Sequence, residues 1–235
     1  MSEQMILILA NGNWDLPRDL VRLQALAKRA NHVVATDGAL DHAIECDIPV
    51  HTLIGDLDSI ADSTHLEERF PEMEILRYPE DKDWTDLELA IDWALERTPS
   101  SVIVYGAAGG RIDHTMANLA LLEKGLHTGI PIEMISGNES VRLLQGDLAL
   151  EEAAVGDRVS LLPISLFCTV STQGLKYALA SDKLFRGQGR GISNVVTGLP
   201  ASVIVESGVL AVVVCAACGL GADPGCDATT DRGNQ

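Results

Sequence analysis

His51-Thr52-Leu53-Ile54-Gly55-Asp56-Leu57-Asp58-Ser59 joins a short apolar run to two carboxylates one residue apart. In an extended or turn conformation alternate side chains point the same way, so Asp56 and Asp58 are expected to project together. Two like charges so placed repel unless a cation or proton lies between them, which leaves a solvated loop or a divalent-metal site. The arrangement returns twice. Asp81-Lys82-Asp83-Trp84-Thr85-Asp86 precedes one helical pattern, and Gly109-Gly110-Arg111-Ile112-Asp113-His114 precedes another. Three acidic turns after three apolar runs predict an open, mostly parallel α/β sheet, whose strand-to-helix loops gather at the carboxyl edge where ligands bind. Carboxylates converging there are costly unless they hold cations, and the cations attract a polyanion such as a nucleoside triphosphate. The expectation is a magnesium-nucleotide site.

The segments around these turns fit that sheet. Met5 to Leu9, His32 to Thr36, Met73 to Leu76, Ser101 to Tyr105 and Pro131 to Ile135 read as further strands, the first being continuously apolar as in a strand covered on both faces. Asn11-Gly12-Asn13 turns the chain into a helix with Asp15 as cap, Pro17 in its first turn, and Leu16, Leu20, Leu23, Ala27 and Ala30 at helical spacing. In Asp37-Gly38-Ala39 the glycine either lets backbone approach a ligand or relaxes a turn. A polar helix is expected from Ala61 to Arg69.

Thr85 with Glu88 forms a capping box, Trp84 can staple on Leu89, and Leu87, Ala90, Ile91 and Ala94 form the buried stripe. Asp83 and Asp86 then sit at the helix mouth, as ligands or as complements to the helix dipole. Gly106 to Gly110 is a glycine-rich strand-to-helix turn suited to cradling phosphate, without the Gly-Lys-Ser/Thr of a Walker A loop. Arg111 follows it, able to reach a phosphate or pair with an acid, and the helix should end near Gly125. His114 is left outside the catalytic set.

Beyond residue 145 the character changes to short Val-, Leu-, Ser- and Thr-rich runs separated by glycine: Arg158 to Leu162, Cys168 to Ser171, Ser202 to Glu206 and Val209 to Val214. This predicts an α/β domain over residues 1–145, a small all-β sandwich or barrel over 146–220, and a disordered polar tail over 221–235. A formal net charge of −17 argues against nucleic-acid or anionic-membrane partners. No apolar stretch reaches the roughly 18 residues of a membrane span, so the expected setting is the cytoplasm. Five cysteines at irregular spacing read as reduced thiols, with Cys215 and Cys218 on opposite faces of a strand end.

Taken together, the three acidic turns, Gly174-Leu175-Lys176-Tyr177 and Gly191-Ile192-Ser193-Asn194 resemble the ordered motifs of the thiamine pyrophosphokinase family. The resemblance spans nearly the whole chain. It implies transfer of the diphosphoryl group of ATP to the hydroxyl of thiamine in a homodimer whose β domain helps to bind thiamine. It further implies an acid cluster of Asp56, Asp58, Asp83, Asp86 and Asp113, the first four holding Mg²⁺. ATP would lie against Asp37, Gly38, Thr85, Gly110 and Arg111, and Ser193 and Asn194 would contact thiamine. Lys82, Val195 and the lack of a tryptophan near Ser193 depart from the family pattern, leaving the aromatic partner of thiamine unassigned. Paired aspartates also serve metal-dependent phosphohydrolases and nucleotidyl-sugar transferases, which give no reason for the β domain, and non-catalytic ligand-binding modules.

Overall fold

A computed structural model describes residues 4–14, 20–60, 64–81 and 83–217. Asp15, Pro17, Ala61, Lys82, Cys218 and the tail, on which some of the expectations fall, lie outside the described residues.

Six parallel strands form the first half: β1 (Met5–Leu9), β2 (His32–Thr36), β3 (Thr52–Gly55), β4 (Glu74–Arg77), β5 (Ser101–Tyr105) and β6 (Ile132–Ser136), in the order β6-β5-β1-β2-β3-β4. Every residue of β1 is buried because helices cover both faces. On one face α1 (Leu20–Arg29) and α2 (Ala39–Glu45) pack Leu23, Leu26 and Leu40 on Leu7 and Leu9; on the other α4 (Asp86–Glu96) packs Leu87, Ala90 and Ile91 on Ile6 and Ile8. The chain builds outward from β1 to β4 and then crosses back to β5 beside β1, so strand order reverses between β1 and β5. A crevice opens there at the carboxyl edge.

The helix expected from Ala61 to Arg69 is, in its described part, the single turn α3 (Leu66–Arg69). Thr85 caps α4, its Oγ1 accepting from the Glu88 N–H at 3.2 Å. The other half of the expected box is replaced, because the Glu88 carboxylate pairs with Lys124 at 3.0 Å. Trp84 is 54% exposed rather than sealed as a staple. The helical segment after Gly110 passes Gly125: it runs as α5 (Ile112–Leu121) and α6 (Glu123–Thr128) and stops where Gly129 adopts φ 74°, a left-handed cap.

The second half grows from the same sheet. β7 (Glu139–Ala149) runs antiparallel to β6, so residues 145 and 146 fall inside one strand. The rest is β8 (Arg158–Pro163), β9 (Phe167–Gln173), β10 (Asp182–Phe185), β11 (Asn194–Val195) and β12 (Ser202–Cys215). The two strands expected at Ser202 and Val209 are the single strand β12. Its first part pairs with β9 and the end of β7, its second with β8 and the start of β7. A bulge between them changes the buried parity from Val203 and Val205 to Leu210 and Val212. Gly208 sits in it at φ 88°, where an added Cβ would lie 2.7 Å from the Phe167 carbonyl oxygen. Bent in this way, β7 and β12 bring β9 and β10 over β8 around Leu161, Cys168, Val170, Leu184 and Val203, an all-β layer pair joined to the α/β sheet. Among the described residues no helix is long and apolar enough to cross a membrane.

Candidate functional site

A cleft of about 430 Å³ opens at the carboxyl ends of β1, β2 and β5, closed on its sides by the starts of α4 and α5. Asp37 after β2 and Asp86 at the first position of α4 line it, and Asp56 after β3 stands next to them, with one carboxylate oxygen of each of the three within 4.8 Å of the others. Asp37 is 4% exposed, and the backbone is shaped around it. A Cβ on Gly55 would come 2.9 Å from the Asp37 Cβ, and one on Gly38 would come 2.3 Å from Asn11 Nδ2. Glycine at these positions therefore serves close approach.

Asp37 Oδ2 accepts from the Ser59 N–H at 3.0 Å, whereas Oδ1 is buried with no hydrogen-bond partner among the described residues. Burial is the main cause that pushes the Asp37 carboxyl up to about 6; the neighbouring carboxyls of Asp58, Asp56 and Asp86 add to it, against the Ser59 N–H. A buried oxygen without a donor, beside two more carboxylates, matches the hard oxygen ligation of a divalent cation.

Asp56 and Asp58 do not enter this group together. Leu57 between them is buried at φ 70°, so alternation fails, and Asp58 is left exposed at the rim, its Oδ1 accepting from Ser59 Oγ at 2.9 Å. Asp83 is exposed and outside the group of three. Asp113 is taken up by Arg111, whose Nε donates to Asp113 Oδ1 at 3.1 Å and whose Nη2 donates to Oδ2. That guanidinium holds the Asp113 carboxyl down at about 2. Arg111, Gly110, Gly38 and Thr85 all line the cleft, Thr85 with its hydroxyl engaged as the α4 cap.

Ser193 and Asn194 lie in the β half and do not line this cleft. Asn194 is 4% exposed; its Oδ1 accepts from the Tyr177 and Val195 N–H groups, both at 2.9 Å, and its Nδ2 donates to the Tyr177 carbonyl at 2.8 Å. It fastens the Gly174 to Tyr177 stretch to β11. Ser193 beside it is exposed, at φ 57°.

Asn11, Gly12, Asn13, Ser59, His114 and Asn118 also line the cleft but were not among the expected site residues. Asn11-Gly12-Asn13 carries no acid, so its polarity read as a plain turn; its place directly after a fully buried strand was the available signal. The Gly12 N–H donates to the Gly106 carbonyl at 2.7 Å and the Asn13 N–H to the Ala108 carbonyl at 3.2 Å, zipping this turn to the glycine-rich one.

Residues 23–134 match the family model described as thiamin pyrophosphokinase, catalytic domain, and residues 147–210 match that described as thiamin pyrophosphokinase, vitamin B1 binding domain. The chain is 34% identical over 151 residues to a thiamine pyrophosphokinase of Bacillus subtilis, covering 63% of this chain and 69% of that protein. To thiamin pyrophosphokinase 1 of Caenorhabditis elegans it is 30% identical over 189 residues, 75% of this chain and 76% of the other. The crystal structure of the Bacillus subtilis enzyme superposes with a TM-score of 0.79 at 26% identity, covering 91% of this chain and 99% of that one. The yeast enzyme, at 18% identity and a TM-score of 0.73, shares the fold, over 92% of this chain and 87% of its own.

Proposed function

The chain belongs to the thiamine pyrophosphokinase family, and from that premise we propose that it transfers the diphosphoryl group of ATP to the hydroxyl of thiamine, giving thiamine diphosphate and AMP. The observation that carries this reading is the group of three carboxylates at one side of a cleft that the glycine-rich loop and Arg111 also line, at the point of strand-order reversal. Asp37, Asp56 and Asp86 would hold Mg²⁺, with Asp58 at the rim. When bound, the ion neutralises charge on the phosphate oxygens.

The remaining work falls to side chains and backbone. Thr85 fixes the first turn of α4 and thereby holds Asp86 at the cleft. Arg111, oriented by Asp113, keeps further N–H groups for phosphate oxygens. The thiamine hydroxyl attacks the β-phosphorus in line, giving up its proton to a carboxylate of the acid group, as the bond from that phosphorus to the α–β bridging oxygen breaks and AMP leaves. The β half supplies the thiamine contacts through Ser193, with Asn194 holding that loop in place.

A homodimer is the assembly the family resemblance implies. The surface of α5 supports it: no residue of this helix is buried, Ile112 and Met116 are 79% and 66% exposed, and an apolar trough of about 450 Å³ lies beside them, lined by Leu119, Met134, Val141 and Leu143. Such a face is one that a second copy would cover.

The test is product analysis. Purified protein with ATP, Mg²⁺ and thiamine should yield AMP and thiamine diphosphate in equal amounts. ADP or free phosphate in their place would indicate a kinase or hydrolase of another kind, and ligand binding without AMP would indicate a binding module.

A further inference from the structure

A loop that receives a polyanion must turn its carbonyl dipoles away and keep its N–H groups free. In the turn after β5 the three successive carbonyls that would repel phosphate are each occupied from outside the loop. Gly106 O accepts from the Gly12 N–H at 2.7 Å, Ala107 O from Asn118 Nδ2 at 2.8 Å, and Ala108 O from the Asn13 N–H at 3.2 Å. The Gly109 N–H is tied back to Thr115 Oγ1 at 3.2 Å. The N–H groups of Ala107, Gly110 and Arg111, all residues of the cleft wall, have no acceptor among the described residues. Two of the three carbonyl clamps are backbone groups of the β1 turn. The third is a side chain.

We propose that Asn118 is a positioning residue for the triphosphate: by holding the Ala107 carbonyl, it keeps the glycine-rich loop in the orientation that offers N–H groups to ATP. This rests on the cleft being the ATP site, and it concerns the phosphates rather than thiamine. Asn118 stands on α5, about two helical turns past Arg111 and one past His114, and its amide reaches back over the loop. Without that donor the Ala107 carbonyl faces an unpaired acceptor or empty space. The peptide between Ala107 and Ala108 is then free to rotate and to present its oxygen to the ligand.

Two near-isosteric variants separate the donor from its charge environment. Asn118→Leu removes the donor with no new charge, and Asn118→Asp replaces it with an acceptor. Both should raise KM for ATP by about 10-fold or more, as expected for one charge-assisted contact or its equivalent, with KM for thiamine within about two-fold. Inhibition by inorganic tripolyphosphate should be weaker in both variants than in the wild type, a readout that stability does not move. Unfolding midpoints report whether the fold survives. An unchanged KM for ATP in Asn118→Leu, or an equal rise for both substrates, would overturn the proposal. A failure of the wider functional reading looks different: the wild type itself would form no AMP with thiamine.

Discussion

Asp37 and Asn194 are each 4% exposed, one polar side chain buried in the α/β half and one in the β half, yet their surroundings are opposite. Asn194 has its oxygen and nitrogen both engaged by backbone groups of Tyr177 and Val195. Asp37 has one oxygen without a partner among the described residues, and two further carboxylates face it. A satisfied buried amide is a fastening, whereas a strained buried acid costs stability that a ligand can return. The two halves of the chain therefore differ in kind: the carboxyl edge of the parallel sheet holds unfavourable electrostatics, and the β11 corner holds satisfied hydrogen bonds.

The contrast breaks most readily at the acid cluster. Asp86→Asn keeps the size of the side chain at the head of α4 and removes one charge, so AMP formation at saturating ATP should fall by about 10²-fold or more. The unfolding midpoint should stay within about 2 °C of wild type, less than the shift expected for 1 kcal/mol. Activity within a few-fold of wild type at limiting Mg²⁺ would show that these acids are not the working centre.

At Asn194 the expected pattern reverses. Asn194→Ala leaves the Tyr177 and Val195 backbone groups unpaired and should cost about 2–3 kcal/mol, seen as a midpoint lower by several degrees. Ser193→Ala next to it should leave the midpoint unchanged and raise KM for thiamine alone. If Asn194→Ala unfolded like wild type while losing thiamine affinity, the amide would be a substrate contact and the comparison would fail.

The smallest effect sharpens the electrostatic side. Asp37 has its folded pKa raised from 3.8 to about 6, so between these values the folded chain binds a proton that the unfolded chain has lost. Its contribution to stability is thus full at low pH and is lost as pH rises through the folded value. Metal-free Asp37→Asn, which does not titrate, should gain on wild type across that window by on the order of 1 kcal/mol. Millimolar Mg²⁺ should reverse the ranking by stabilising only the wild type. Denaturant titrations at stepped pH, with and without the metal, test this; parallel curves throughout would mean that the Asp37 carboxyl is not perturbed.

Much of the architecture was legible from neighbouring residues alone. The apolar run Met5 to Leu9 announces a strand covered on both faces, the Thr85 cap locates the start of α4, and the glycines from Gly106 to Gly110 mark the turn between β5 and α5. These are properties of local periodicity and turn chemistry, which act over a few residues. The placing of β1 between β2 and β5 was not local, and it alone brings the Asn11 turn against the Gly106 turn. Nor did spacing decide which acids meet. Asp37 joins Asp56 and Asp86 from a separate strand end, Leu57 turns Asp58 out to the rim by adopting a left-handed backbone, and Asp113 is claimed by Arg111 two residues away. Likewise β12 reads as two strands because its bulge shifts the buried parity, and only pairing with β7 on both sides makes it one. Sequence by itself determined the elements and their polar ends, because those follow from each segment's own pattern; strand order and burial decided which ends face one another, because repulsion, desolvation and competing hydrogen bonds are set by neighbours distant in the chain.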